Sequence, residues 1–169
     1  MAPDGTDLKR LTNNVNLNDL RAKFSPDGKW IAYMTNHAVD DGTGEIWLMD
    51  ADGQNQRRLT DNQQDDGEPM WSPDSRQIVF TRVHTDRKGM DIFSYDLASD
   101  QVHQLTNSTG YAFQPAWSPD SAWIAFSSNP SGDGQQINVD IVRADGTDRR
   151  SLLAESDTIP PGRDFIWIR

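Results

Sequence analysis

The chain has 169 residues, 35% of them hydrophobic, a formal net charge of −10 and no cysteine. That length allows one domain or part of a larger one, and the missing cysteine excludes disulfides and thiolate metal sites. Scattered basic residues on an acidic chain leave no clustered positive face for nucleic-acid phosphates, no apolar run is long enough to span a bilayer, and no basic-then-apolar start resembles a signal peptide.

Taken in order, the chain repeats itself. Residues 1–12 end in Leu11-Thr12 after an Asp4-Gly5 turn pair. Asp52-Gly53 leading to Leu59-Thr60, and Asp145-Gly146 leading to Leu152, repeat that segment; Leu105-Thr106 closes it once more behind Ser99-Asp100. Asp-Gly favours a tight turn because glycine tolerates positive φ. A second element is Phe24-Ser25-Pro26-Asp27-Gly28 followed by Ile31 and Tyr33. It returns as Trp71-Ser72-Pro73-Asp74-Ser75 before Ile78 and Phe80, and as Trp117-Ser118-Pro119-Asp120-Ser121 before Ile124 and Phe126. Ser-Pro-Asp fits a type I turn, with φ preset by the proline. The copies lie 47 and then 46 residues apart, and a period in the mid-forties marks a repeat architecture. A third element, Glu45–Met49, Asp91–Tyr95 and Val139–Val142, lies between the two turns of each unit; Asp140 stands there where the other copies have an aromatic, so a local register shift is an expectation of the third unit.

Each unit is thus predicted to hold four strands, a to d. Strand b (Ile31-Ala32-Tyr33, Ile78-Val79-Phe80, Ile124-Ala125-Phe126) does not alternate and is expected to be buried on both faces. Strand d alternates and carries charge, including Arg57-Arg58 and Arg149-Arg150, as an edge strand does. The fold class is all-β: a partial β-propeller of four-stranded antiparallel blades. The expected division is 1–12, outer strand of a preceding blade; 13–60, 61–106 and 107–153, three blades; and 154–169, the start of a further blade. Closed propellers need roughly four to eight blades, so missing blades or self-association of a second copy would complete the ring.

The Trp71-Ser-Pro-Asp, Ile78-Val-Phe, Asp91-Ile-Phe and Leu105-Thr pattern resembles the TolB-type propeller repeat, a relative of the WD-type repeat, over residues 1–153. The resemblance implies a scaffold fold. Its members include the periplasmic TolB subunit, gating propellers of prolyl-oligopeptidase-type peptidases and a few propeller lyases. It favours a periplasmic or extracellular location and a protein partner. It assigns Trp71, Pro73, Asp74 and Leu105 structural roles.

Candidate site residues fall in the longer b–c and d–a loops, which a propeller places on one face. Asp65, Asp66 and Glu68, with Asp40, Asp41 and Asp133, make that face acidic and suit a basic partner peptide or a hard cation. His37 and His84, one repeat apart, are candidate metal ligands. Trp30, Trp47 and Trp123 are read as packing residues. No Gly-x-Ser-x-Gly elbow and no Gly-rich phosphate loop occurs. The expected function is a non-enzymatic scaffold that binds a protein or peptide on the long-loop face, with no cofactor; the alternative is the propeller segment of a peptidase or of a metal-dependent lyase.

Overall fold

The computed structural model describes residues 6–15, 17–37, 43–86 and 88–152. Every regular element among them is a strand. Blade 1 is β1 (Leu17–Phe24), β2 (Trp30–His37), β3 (Gly44–Asp50) and β4 (Arg57–Arg58). Blade 2 is β5 (Asp66–Trp71), β6 (Gln77–Val83), β7 (Met90–Asp96) and β8 (Gln101–Gln104). Blade 3 is β9 (Tyr111–Trp117), β10 (Trp123–Asn129), β11 (Asn138–Arg143) and β12 (Arg150–Ser151). Within each blade consecutive strands pair antiparallel in chain order. Blades 2 and 3 also touch through one parallel pairing, Met90 opposite Tyr111.

The a–b turn is built the same way three times. Ser25, Ser72 and Ser118 each donate a side-chain hydroxyl to the following Asp, at 2.6 Å in all three. The same hydroxyl accepts the amide of Trp30, Gln77 or Trp123. The turn closes when the amide of Gly28, Ser75 or Ser121 donates to the serine carbonyl. Those closing residues have φ of 73°, 61° and 59°, left-handed backbone at which glycine and short polar residues are tolerated.

The serine hydroxyl bond holds the Asp27 and Asp120 carboxyls below the usual carboxylate range, helped by the amides of Lys29 and Ala122. A depressed carboxyl contributes stability above its ordinary pKa and loses it as pH falls through the lowered value.

Strand b is buried on both faces as its sequence predicts: Ile31, Ala32 and Tyr33, Ile78, Val79 and Phe80, and Ile124, Ala125 and Phe126 are all buried. Tyr33 stands where the repeat otherwise has Phe. Its hydroxyl is buried with no hydrogen-bond partner among the described residues, and burial, with the Asp19 carboxylate nearby, pushes its pKa up to about 12.

Two expectations need correction. Blade 3 shows no register shift at Asp140: Phe126 faces Asp140 just as Phe80 faces Phe93 and Tyr33 faces Trp47. The buried carboxylate is held by Arg149, whose Nη2 lies 2.9 Å from Oδ2 and whose guanidinium lies 5.3 Å from the Phe126 ring. Arg149 therefore takes the covering role of an aromatic without changing the ladder. Residues 6–12 form no strand. Leu11 nevertheless packs against Ile31, Tyr33 and Met49, and its carbonyl accepts the Gln56 side chain at 2.9 Å. The segment lies along blade 1 without a ladder. Residues 1–5 and 153–169 lie outside the described residues, and the expected further blade with them.

Two outcomes follow. Tyr33→Phe, which restores the repeat residue and deletes an unpartnered buried hydroxyl, raises unfolding stability by roughly 1 kcal/mol in urea titration. Ser118→Ala returns the Asp120 carboxyl titration, followed by NMR, upward toward the ordinary carboxylate range.

Candidate functional site: the inner mouth of the blades

Each inner strand carries a bulge at the same place. Opposite Tyr33 stand both Arg21 and Ala22; opposite Phe80, Glu68 and Pro69; opposite Phe126, Gln114 and Pro115. Arg21, Glu68 and Gln114 have φ of 54°, 56° and 53°. Non-glycine residues in this region each cost on the order of 1 kcal/mol, and such strain gathers at functional positions. The extra residue re-aims the side chain out of the pleat. Here it directs a guanidinium, a carboxylate and an amide toward a common opening. Arg21 Nη1 lies 3.4 Å from Glu68 Oε1, an ion pair joining blades 1 and 2.

Two hollows share these three side chains. One, of about 670 Å³, lies toward the long loops, with Met34, Val83, Met90, Tyr111, Phe113 and Ile137 forming much of its wall. The other, of about 450 Å³, lies along the inner strands beside Lys23, Met70 and Ala116. The larger hollow combines its apolar wall with one cation, Arg21, the carboxylates of Asp65, Glu68 and Asp133 and the amide of Gln114, a lining suited to a partner that is apolar with a few polar or basic groups.

The acidic residues singled out by sequence separate into different environments. Asp66 is fully buried; Arg82 grips it with two bonds of 2.6 and 2.7 Å, and the Asn62 side-chain amide adds a third at 2.8 Å. Arg82 in turn lies 4.5 Å from the Phe93 ring. Asp66 thus joins strands a and b and is not presented to a partner. Asp65 lines the larger hollow, while one of its oxygens accepts the Gly44 amide at 2.8 Å. Glu68, turned outward by the bulge, reaches the opening. Asp133, also at the rim, is held below the usual carboxylate range by the Gln135 amide and the Ser131 hydroxyl. Asp40 and Asp41 lie outside the described residues.

The two histidines are not shown together. His37 pairs through its backbone with Leu17 in blade 1, and its side chain lies outside the described residues. His84 Nε2 is 2.9 Å from Asp91 Oδ2. Asp91 also accepts the Thr106 hydroxyl at 2.7 Å and the Ser108 amide at 2.8 Å. Blade 1 repeats this arrangement with Glu45, Thr60 and Asn62, and Arg58 in place of the histidine. Burial pushes the Glu45 carboxyl up against the opposing pull of those donors. The matching networks make His84 part of a loop anchor. Among the described residues no group of three or more His, Asp or Glu is placed to hold a metal ion, and no helix is long and apolar enough to cross a membrane.

The tryptophans pack. Trp30 joins the Ala32, Leu48, Trp71 and Ile78 cluster, Trp47 lies 6.4 Å from the Tyr33 ring, and Trp123 is flanked by Arg143 and Arg150 at 4.5 and 5.1 Å. Sequence reasoning passed over Arg21 and Gln114. The signal was present: at matching offsets from the Ser-Pro turn, each inner strand has a polar residue before Ala22, Pro69 or Pro115.

Asp66→Asn should cost about 3 kcal/mol in urea titration, because it leaves the Arg82 charge buried without its counter-ion. Glu68→Gln, at a half-exposed ion pair, should cost under about 1 kcal/mol.

No protein-family model matches the chain. Over 73 residues, 43% of the chain, it is 35% identical to the Tol-Pal system protein TolB of Geobacter sulfurreducens, a stretch covering 17% of that protein. Over 59 residues it is 32% identical to the uncharacterized peptidase YuxL of Bacillus subtilis, covering 35% of this chain and 9% of that one. These matches therefore span well under a third of either relative's length. The crystal structure of TolB from Acinetobacter baumannii superposes with a TM-score of 0.64 at 26% identity, covering 84% of this chain and 34% of that one. The repeated Ser-Pro-Asp turns, the four-stranded blades and these likenesses agree that the chain is a TolB-like β-propeller segment.

Proposed function

We propose that the chain serves as a non-enzymatic propeller scaffold for protein–protein interaction, with a protein or peptide partner seated on the long-loop face over the 670 Å³ hollow. The observation that carries this reading is the convergence of Arg21, Glu68 and Gln114, at matching strained bulges, beneath an apolar wall. A rigid sheet framework with strained polar residues at its inner rim is prepared to hold a ligand before that ligand arrives. The net charge of −10 favours a partner with a basic surface. The likeness to TolB, named for its Tol-Pal system, supports an assembly role.

A second reading, the propeller segment of an enzyme, is favoured by the likeness to YuxL. In that case the catalytic groups belong to another part of the protein or to a metal site involving His84.

Photo-crosslinking separates the two. A crosslinking residue replacing Phe113 in the hollow should capture one discrete protein, and Glu68→Arg should reduce that product at least about tenfold, since it replaces a rim carboxylate with a second cation. The same crosslinker at Val102, on an outer strand, should not capture it. Equal products at both positions, or none at Phe113, would sink the scaffold reading. Stoichiometric zinc or manganese after chelator-free purification, lost in His84→Ala, would instead support the enzyme.

A further inference from the structure

The two hollows differ in charge. Arg21, Glu68 and Gln114 line both and form the waist between them. On the long-loop side of the waist, Asp65 and Asp133 join Glu68 as carboxylates, and Arg21 is the single cation among the described residues. On the inner-strand side Lys23 joins Arg21, and Glu68 is the single acid among the described residues. One side of the waist is therefore net negative and the other net positive. The Arg21–Glu68 pair at the waist is loose, 3.4 Å long with its side chains 58% and 35% exposed, and a pair so exposed holds weakly. The wall of the larger hollow suits a long, flexible stem: Met34 and Met90 are unbranched and adaptable, and Tyr111 and Phe113 supply aromatic rings.

We propose that the larger hollow is a subsite for one basic side chain of the partner, a lysine or arginine flanked by apolar residues, which enters from the long-loop side and stops at the waist. The proposal rests on the reading of that face as the partner's seat. Charge complementarity selects the occupant. The aliphatic stem lies against Met34 and Met90 while the charged head meets Asp65, Glu68 and Asp133. The incoming cation takes Glu68 from Arg21, and Arg21, already 58% exposed, passes to solvent. Beyond the waist Arg21 and Lys23 repel a cation, which sets the depth of entry. An acidic side chain of the same length meets three carboxylates on its way in. Two of those carboxylates are fixed before a partner arrives. Asp65 accepts the Gly44 amide at 2.8 Å, and Asp133 accepts the Gln135 amide at 2.8 Å and the Ser131 hydroxyl at 2.7 Å, so little ordering is left for binding to supply.

Methionine methyl NMR on the full chain tests this. Met34 and Met90 lie in the larger hollow, Met70 in the smaller one and Met49 in the core of blade 1. The probes are acetyl-Leu-Lys-Leu-amide and its Gln and Glu counterparts, titrated to about 20 mM, a range that suits a three-residue ligand. The lysine probe should shift Met34 and Met90 saturably and leave Met49 and Met70 in place. The other two probes should bind at least about tenfold more weakly. Glu68→Gln with Asp133→Asn, which removes two of the three carboxylates, should weaken the lysine probe about tenfold. Arg21→Gln, which releases Glu68, should tighten it about threefold, and an unmoved Met49 signal reports that each variant is folded. Equal binding of the three probes, a stronger glutamate probe, shifts at Met70 in place of Met34 and Met90, or no binding by any probe would overturn the proposal. A discrete Phe113 crosslink with no preference for lysine would sink the subsite and leave the scaffold reading standing. A clear lysine preference with no crosslinked protein would sink the scaffold reading and not the subsite.

Discussion

An inner strand of this fold is buried by the blade in front of it and by little else. Trp71 and Trp117 are covered because blades 1 and 2 stand before them; Phe24, at the same position with no described blade before it, lies largely in water. An aromatic side chain of this kind buries some 150–250 Å², which by area is worth roughly 4–6 kcal/mol. That term exceeds any single hydrogen bond in the blade and belongs to the junction. Stability therefore passes from blade to blade, as it does in other repeat proteins.

The same constraint explains the bulges. Three large rings, Tyr33, Phe80 and Phe126, occupy the centre of strand b, and the inner strand opposite each carries two residues where one would do. The added residue bends the strand around the ring and turns a polar side chain toward the opening. Packing of the core and placement of the polar rim are thus one feature of the backbone. A partner meeting Arg21, Glu68 and Gln114 meets groups fixed by the interior, which lowers the ordering cost of binding.

Charge is divided by depth. The chain is strongly acidic, yet several of its carboxylates are taken up by the fold: Asp66 on Arg82, Asp91 on Thr106 and His84 and Asp140 on Arg149 in the interior, and Asp27, Asp74 and Asp120 at the exposed turns on serine hydroxyls. These are structural anions, and their removal would be felt as lost stability. Glu68 and Asp133 remain at the mouth of the hollow. With Asp65 they give the hollow three carboxylates around the single guanidinium of Arg21.

The sequence by itself determined the architecture: the spacing of Phe24, Trp71 and Trp117, the Ser-Pro-Asp turns and the unalternating b strands required three four-stranded units, because turn chemistry and hydrophobic pattern are local. It also marked the outer strands by their arginines. Only the tertiary structure decided which polar residues are available. Asp66 and Glu68 are two residues apart in one acidic run, yet a bulge beside them sends one carboxylate onto Arg82 and the other to the opening. Asp140 holds its register because Arg149, from the turn just before β12, comes to neutralise it. Such outcomes depend on partners distant along the chain and on a backbone kink set by a ring on the next strand, and no local pattern records either.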